Sequence, residues 1–140
     1  MRETFINPTQ ESGRDFLLRQ IPGSVVMLNL LRFRKVADYS ENPSLAPLHP
    51  ISGEEAYQLY MEATLPYLQA SGGEIIFLGK GGSYLIGPKD EVWDVAMLIR
   101  QQSVDSFMLF ASNPDYLNII GHRNAALEDS RLLPLTEQVI

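Results

Sequence analysis

An α+β fold is what the sequence predicts, on three observations. The first is Ser24 to Arg34, an apolar run of strand length, entered through Pro22-Gly23 and left through a cationic cluster. The second is a pair of helical patterns, one opened by Ser52-Gly53-Glu54-Glu55 and one by Ser103, renewed at Asn113-Pro114-Asp115. The third is the order of elements: a helix, then strand–helix–strand–strand–helix–strand. Two split βαβ units in that order build a four-stranded antiparallel sheet with both helices on one face, the ferredoxin-like arrangement. Residues 1–22 then form an N-terminal helical arm and 23–140 the ferredoxin-like domain, a single domain in all.

Asn7-Pro8-Thr9-Gln10 reads as a helix start, with Asn7 as cap, Pro8 in the first turn and Gln10 in a capping-box position. That helix runs to about Gln20 with Phe16, Leu17 and Ile21 on its apolar side. The strand that follows is apolar at both parities, which suits a strand in mid-sheet covered on both faces. Lys35 to Ile51, with Pro43, Pro47 and Pro50, is a loop long enough to be functional or disordered. Leu45 and Leu48 would fold part of it onto the body. Ser52 caps the next helix and Glu55 reaches back to complete a capping box. Tyr57, Tyr60, Met61, Leu65 and Leu68 form its buried stripe. Pro66 should kink it near its end, and Ser71-Gly72-Gly73 stops it.

Glu74 to Gly79 is a second strand, interrupted by a bulge at Lys80-Gly81-Gly82 and resumed over Ser83-Tyr84-Leu85-Ile86. After a turn at Gly87-Pro88-Lys89-Asp90, Glu91 to Arg100 is the third strand. Trp93, Val95, Met97 and Ile99 share one of its faces; Asp94, Ala96, Leu98 and Arg100 share the other. Ser103 caps a helix with Val104, Phe107, Met108 and Ala111 on its apolar face. Beyond Asn113-Pro114 the helical spacing continues through Tyr116, Ile119, Ile120, Arg123 and Leu127. Glu128-Asp129-Ser130 turns the chain into a last strand, Arg131 to Thr136. The sheet face away from the helices is apolar too. Only the N-terminal helix and the proline-rich loop are left to cover it, so a second copy packed sheet to sheet is expected, a homodimer.

With 140 residues and 45% hydrophobic content, the chain can bury about 68% of its unfolded surface. Its apolar runs fall short of the ~20 residues of a membrane span. Met1-Arg2-Glu3-Thr4 is unlike a secretory signal, which makes cytoplasm the expected location. The lack of cysteine excludes disulfides, thiolate nucleophiles and cysteine-bound metals. A net charge of −6 and a pI near 4.8 oppose nucleic-acid binding, and Arg32, Arg34 and Lys35 are the densest basic cluster. His49 and His122 are far apart and no His-Glu-x-x-His occurs, so no metal is expected, nor any other cofactor. Gly79-Lys80-Gly81-Gly82-Ser83 has neither the spacing nor the following helix of a phosphate loop.

Several stretches together resemble the uncharacterised family called domain of unknown function 1330. They are Gly23 to Arg34, Ser52 to Tyr60, Gly72-Gly73, Trp93-Asp94, Ser103, Phe107, Pro114-Asp115-Tyr116, Arg123-Asn124-Ala125-Ala126 and Asp129-Ser130-Arg131-Leu132. The likeness spans about residues 22 to 137 and departs at Arg100-Gln101-Gln102, where the family more often has an aromatic-proline pair before the serine. It implies a dimeric α+β barrel and no agreed reaction. Relatives in that superfamily include cofactor-independent monooxygenases, haem-degrading enzymes, muconolactone isomerase-like enzymes and plain ligand binders. Fold analogy does not choose among them.

Asn29 is an amide in mid-strand, where leaving it unpaired costs roughly 1–3 kcal/mol; it is either structural or part of a site. In some barrel monooxygenases an Asn and a Trp stand on equivalent strands, which the resemblance would assign to Asn29 and Trp93. Haem-degrading relatives add a His from the second helix; His122 lies on that helix but later. Tyr57 and Tyr60 are core residues or pocket lining. Arg123 and Arg131 could grip a carboxylate or pair with Glu128 and Asp129. If a site exists, Asn29 holds a substrate oxygen, Arg32 or Arg123 anchors an acid group, and Trp93 with Tyr60 makes the apolar wall. The reaction would then be cofactor-free oxidation or isomerisation of a small aromatic or carbonyl compound. The alternative is a non-enzymatic dimeric ligand-binding or interaction module with purely structural polar residues.

Overall fold

The computed structural model describes residues 3–140. Its elements are α1 (Gln10–Leu18), β1 (Val25–Phe33), α2 (Gly53–Ala70), β2 (Glu74–Ser83), β3 (Val92–Gln101), α3 (Val104–Ala111), α4 (Pro114–Leu117), α5 (Ile120–Ala126) and β4 (Leu127–Thr136). The four strands form one antiparallel sheet in the order β2-β3-β1-β4. This is the expected ferredoxin-like topology, with the apolar β1 in the interior of the sheet. Among the described residues no helix is long and apolar enough to cross a membrane.

Local chemistry explains where elements begin. Thr9, not Asn7, caps α1: its hydroxyl accepts from Ser12 N–H at 3.0 Å while Thr9 N–H donates to Ser12 Oγ at 2.9 Å. Hydroxyls at both ends of this box do what Glu or Gln was expected to do. Ser52 and Glu55 form the anticipated reciprocal pair at α2, both bonds at 3.0 Å. The start of α2 is pinned to its neighbours, because Gly53 N–H donates to Arg34 O at 2.9 Å and Arg34 N–H to Ala126 O at 2.8 Å. The helix runs through Pro66 to Ala70.

Three boundaries differ from the sequence reading. β2 is continuous through Lys80-Gly81-Gly82 and stops at Ser83; its irregularity falls between Ile75 and Phe77. Leu85 and Ile86 are turn residues, fully exposed. The second helical pattern is three short pieces, since caps at Asn113 and Ile119 each restart it. β4 begins at Leu127, directly after α5, so Glu128, Asp129 and Ser130 are strand rather than turn.

Alternation along β1 separates two faces. Met27, Asn29 and Leu31 point toward the helices, and Leu31 and Met97 form a core with Ala56, Tyr57, Tyr60, Tyr116 and Ala126. On the other face the register aligns Phe77, Leu98, Leu28 and Leu133 in one row across all four strands. Neither spare segment covers that row. α1 packs Phe16 against Phe107 of α3, ring centroids 5.9 Å apart, and Arg19 Nη1 donates to Pro134 O of the edge strand β4. The proline-rich loop straps α5: Asp38 N–H donates to Ala125 O, and an added Cβ at Gly121 would strike Leu45. Leu48 points away, fully exposed.

Candidate functional site

A cavity of about 60 Å³ lies between α2 and the sheet. Asn29, Met97 and Ile99 form its floor, Tyr57, Tyr60 and Thr64 its α2 wall, and Phe110 and Arg123 its far side. The α2 residues arrive there because they recur every three or four positions on one face. Thr64 completes that stripe in place of Leu65, which is more exposed. Thr64 lies four residues after Tyr60 and four before Leu68, a position that helical spacing alone would have flagged.

Polar groups meet inside this apolar shell. Asn29 Nδ2 donates to Met27 O at 3.2 Å, one of its two amide hydrogens; its Oδ1 accepts nothing from the described residues. Thr64 Oγ1 is buried without a hydrogen-bond partner. The Tyr60 and Tyr116 hydroxyls share a bond of 2.7 Å. Burial pushes the Tyr57 phenol up to about 12, against a smaller opposing pull from Arg123. Burial and the neighbouring tyrosines raise Tyr60 well above its ordinary value. All of these phenols are therefore neutral donors at physiological pH. Arg123 is fixed from outside: its Nη1 donates to Ile6 O at 2.7 Å.

Of the sequence candidates, Asn29, Tyr57, Tyr60 and Arg123 converge here. Arg32, Trp93 and His122 do not. Arg32 is three positions along an extended strand from Asn29, which puts it on the opposite face. There its guanidinium stands 5.5 Å from the Trp93 ring, with Arg131 5.0 Å from the same ring. The β1–β3 ladder ends at Leu31↔Val95. Beyond it Asp94 Oδ2 accepts from Phe33 N–H at 2.8 Å, so Asp94 pairs with backbone rather than with Arg32 or Arg100. The Trp93 indole donates to Tyr84 Oη at 2.7 Å and Glu91 Oε2 at 3.0 Å. Trp93 is thus not a wall shared with Tyr60; its ring lies by Arg32 and Arg131 instead.

Asp129 organises this second cluster. Fully buried, it accepts from Phe5 N–H at 2.9 Å, Ser130 N–H at 2.8 Å and Arg131 Nη1 at 2.7 Å, with Arg32 Nη2 at 3.3 Å. Burial pushes its carboxyl up, but the bonds from Phe5, Arg131 and Ser130 outweigh it and hold the group below its ordinary value. Ser130 N–H in turn donates to Phe5 O at 2.9 Å. His122 is engaged elsewhere: its Nδ1 and the Tyr39 hydroxyl lie 2.7 Å apart, which ties the loop to α5. Among the described residues no group of His, Asp and Glu could hold a metal ion.

The class is thus a ferredoxin-like α+β protein with a small, donor-lined cavity under its first core helix. The chain is similar to RPA0582, a protein of unknown function from Rhodopseudomonas palustris: 33% identity over 99% of this chain and 100% of that one, with a TM-score of 0.87. The methylated form of RPA0582 gives the same identity and TM-score over 98% of its length. The chain belongs to the family of RPA0582. A dimeric ferredoxin-like protein of unknown function from Thermobifida fusca is 15% identical over 82% of this chain and 92% of its own, with a TM-score of 0.47. No family model and no curated protein matches the chain.

Proposed function

We propose that this protein is a homodimer that holds a small molecule in the cavity of each subunit, between sheet and helices. The observation that carries the reading is Thr64 Oγ1, buried without a partner in the wall of a cavity that Asn29 and Arg123 also line. Buried polar groups are normally paired, and an unpaired one marks a place where a ligand or water bonds. A purely structural set of polar residues would satisfy itself. Pairing sheet to sheet through the row Phe77, Leu98, Leu28 and Leu133 would cover the face that no helix covers. The residue matches in β1, α2 and β4 support membership in the domain of unknown function 1330 family. The division into an arm over 1–22 and a domain over 23–140, and a cytoplasmic setting, belong to the same proposal.

If the protein is catalytic, the donors suit isomerisation of a small carbonyl compound through its enolate, or its cofactor-free oxidation with dioxygen as the electron acceptor. Asn29, with its second amide hydrogen, and Tyr57 would stabilise the developing oxyanion. Native mass spectrometry of the protein as isolated, followed by thermal-shift titration of small aldehydes and ketones against wild type and Asn29→Ala, tests the reading. A bound mass or a ligand-dependent melting shift that Asn29→Ala weakens is expected. No mass and no shift for any compound would leave the non-enzymatic interaction module.

A further inference from the structure

Resting on that reading, we propose that the cavity takes a monocarboxylate of one or two carbons, its carboxylate on Arg123 and Tyr57 and its hydrogen or methyl end against Met97, Ile99 and Phe110. Three independent features point there.

The first is charge. The cavity lining holds one cation, Arg123, and no acid. Arg32, Arg100 and Arg131 each have a carboxylate within 3.4 Å, whereas Arg123 has none within ion-pair distance among the described residues. A guanidinium drawn out of water without a counter-charge is costly, and a carboxylate bonded to its planar fork relieves that cost. One cation balances a monoanion; a phosphate dianion would leave a charge uncompensated.

The second is hydrogen bonding. Arg123 has five N–H groups, and among the described residues it makes one hydrogen bond, from Nη1 to Ile6 O. The Tyr57 hydroxyl makes no hydrogen bond to the described residues, lines the same cavity as Arg123 and stays protonated. Thr64 Oγ1 adds a third donor. An acceptor-only group meets all three, while an amide or ammonium would set donor against donor.

The third is size. A protein cavity of about 150 Å³ accommodates benzene, with its six carbons. At about 60 Å³ this cavity suits about two or three non-hydrogen atoms by the same measure, which is a carboxylate group with room for no more than a methyl beside it.

Calorimetric titration of the full chain with sodium formate and acetate, against formamide and acetamide at matched sodium chloride, tests the assignment. One acid per subunit should bind, with the amide on the order of tenfold weaker or worse, the ratio lost with a charge-assisted bond. Arg123→Gln should cost the acid that same factor and leave the amide unchanged. Tyr57→Phe should weaken the acid by about threefold to tenfold. If Arg123→Gln releases Ile6 and does not fold, Arg123→Lys and Tyr57→Phe carry the test. Amide binding as tight as acid, or acid binding indifferent to these substitutions, overturns the carboxylate while leaving the pocket intact. If no acid, amide, aldehyde or ketone binds, the carboxylate and the pocket fall together.

Discussion

Tyr60 and Tyr116, from different helices, place their hydroxyl oxygens 2.7 Å apart beside the cavity. Each is otherwise enclosed by apolar side chains and rings, with Phe110 at a centroid distance of 4.5 Å from Tyr116. Removing one hydroxyl strands the other. Tyr60→Phe or Tyr116→Phe should each cost about 1–3 kcal/mol, and the double substitution should cost much less than the sum. Urea unfolding of the three variants measures the coupling; additive losses would show that the two oxygens do not share a bond.

Asp129→Asn should destabilise by about 3 kcal/mol or more, because Arg32 and Arg131 would lose their buried counter-charge. The lowered carboxyl value also sets a pH dependence. Asp129 contributes stability that is present above its ordinary value of 3.8 and is lost as pH falls through the lowered one. Urea midpoints measured from pH 6 downward should therefore fall in wild type and flatten in Asp129→Asn. An equally steep fall in the variant would move the acid sensitivity to other carboxylates.

His122 works with the same sense but nearer neutrality. Burial lowers its value from an ordinary 6.5, so folding favours the neutral ring. Its contribution is complete above about pH 6.5 and is lost as pH falls through the lowered value. His122→Gln keeps a partner for the Tyr39 hydroxyl and should remove that part of the pH dependence. NMR titration of the imidazole checks the direction, and a value at or above 6.5 would refute it.

Gly53→Ala should cost about 1–3 kcal/mol, the usual scale of overpacking. An added Cβ would meet Arg34 O and Ala126 O, backbone atoms that cannot swing aside. A thermal melt unchanged by the substitution would show that α2 can lift from β1.

Leu28→Glu tests the dimer. It puts a charge in the middle of the uncovered row while leaving the helix-side core untouched. Sedimentation should show a dimer for wild type and a subunit-sized species for the variant at micromolar concentration. A wild-type monomer would remove the pairing.

Much of the architecture was legible because it is written in period and punctuation. The parity of β1, the Ser52–Glu55 box and the Ser103 cap each led to an observed element. What failed failed locally. Thr9 and Ser12 cap α1 with two hydroxyls, a pairing weaker as a signal than Asn7-Pro8. The Lys80-Gly81-Gly82 run looked too flexible for a strand, yet pairing with β3 overrides that preference. For the site, helical spacing brought Tyr57, Tyr60 and Arg123 together with Asn29. Trp93 was misplaced because the sequence does not show that the β1–β3 ladder stops at Leu31↔Val95, short of Trp93, whose ring lies by Arg32 and Arg131. Whether Arg123 or Arg131 pairs with Asp129 depends on where β4 begins, a boundary four residues earlier than the Arg131 expected from sequence.

The bonds from Asp129, Ser130 and Arg123 to Phe5 and Ile6 join positions separated by 117 to 125 residues. A growing polypeptide exposes Phe5 and Ile6 long before those partners have been made, and closing so large a loop comes late by its entropy alone. Phe5 and Ile6 are therefore fastened late, and until they are, the guanidinium of Arg123 lacks its bond to Ile6 O.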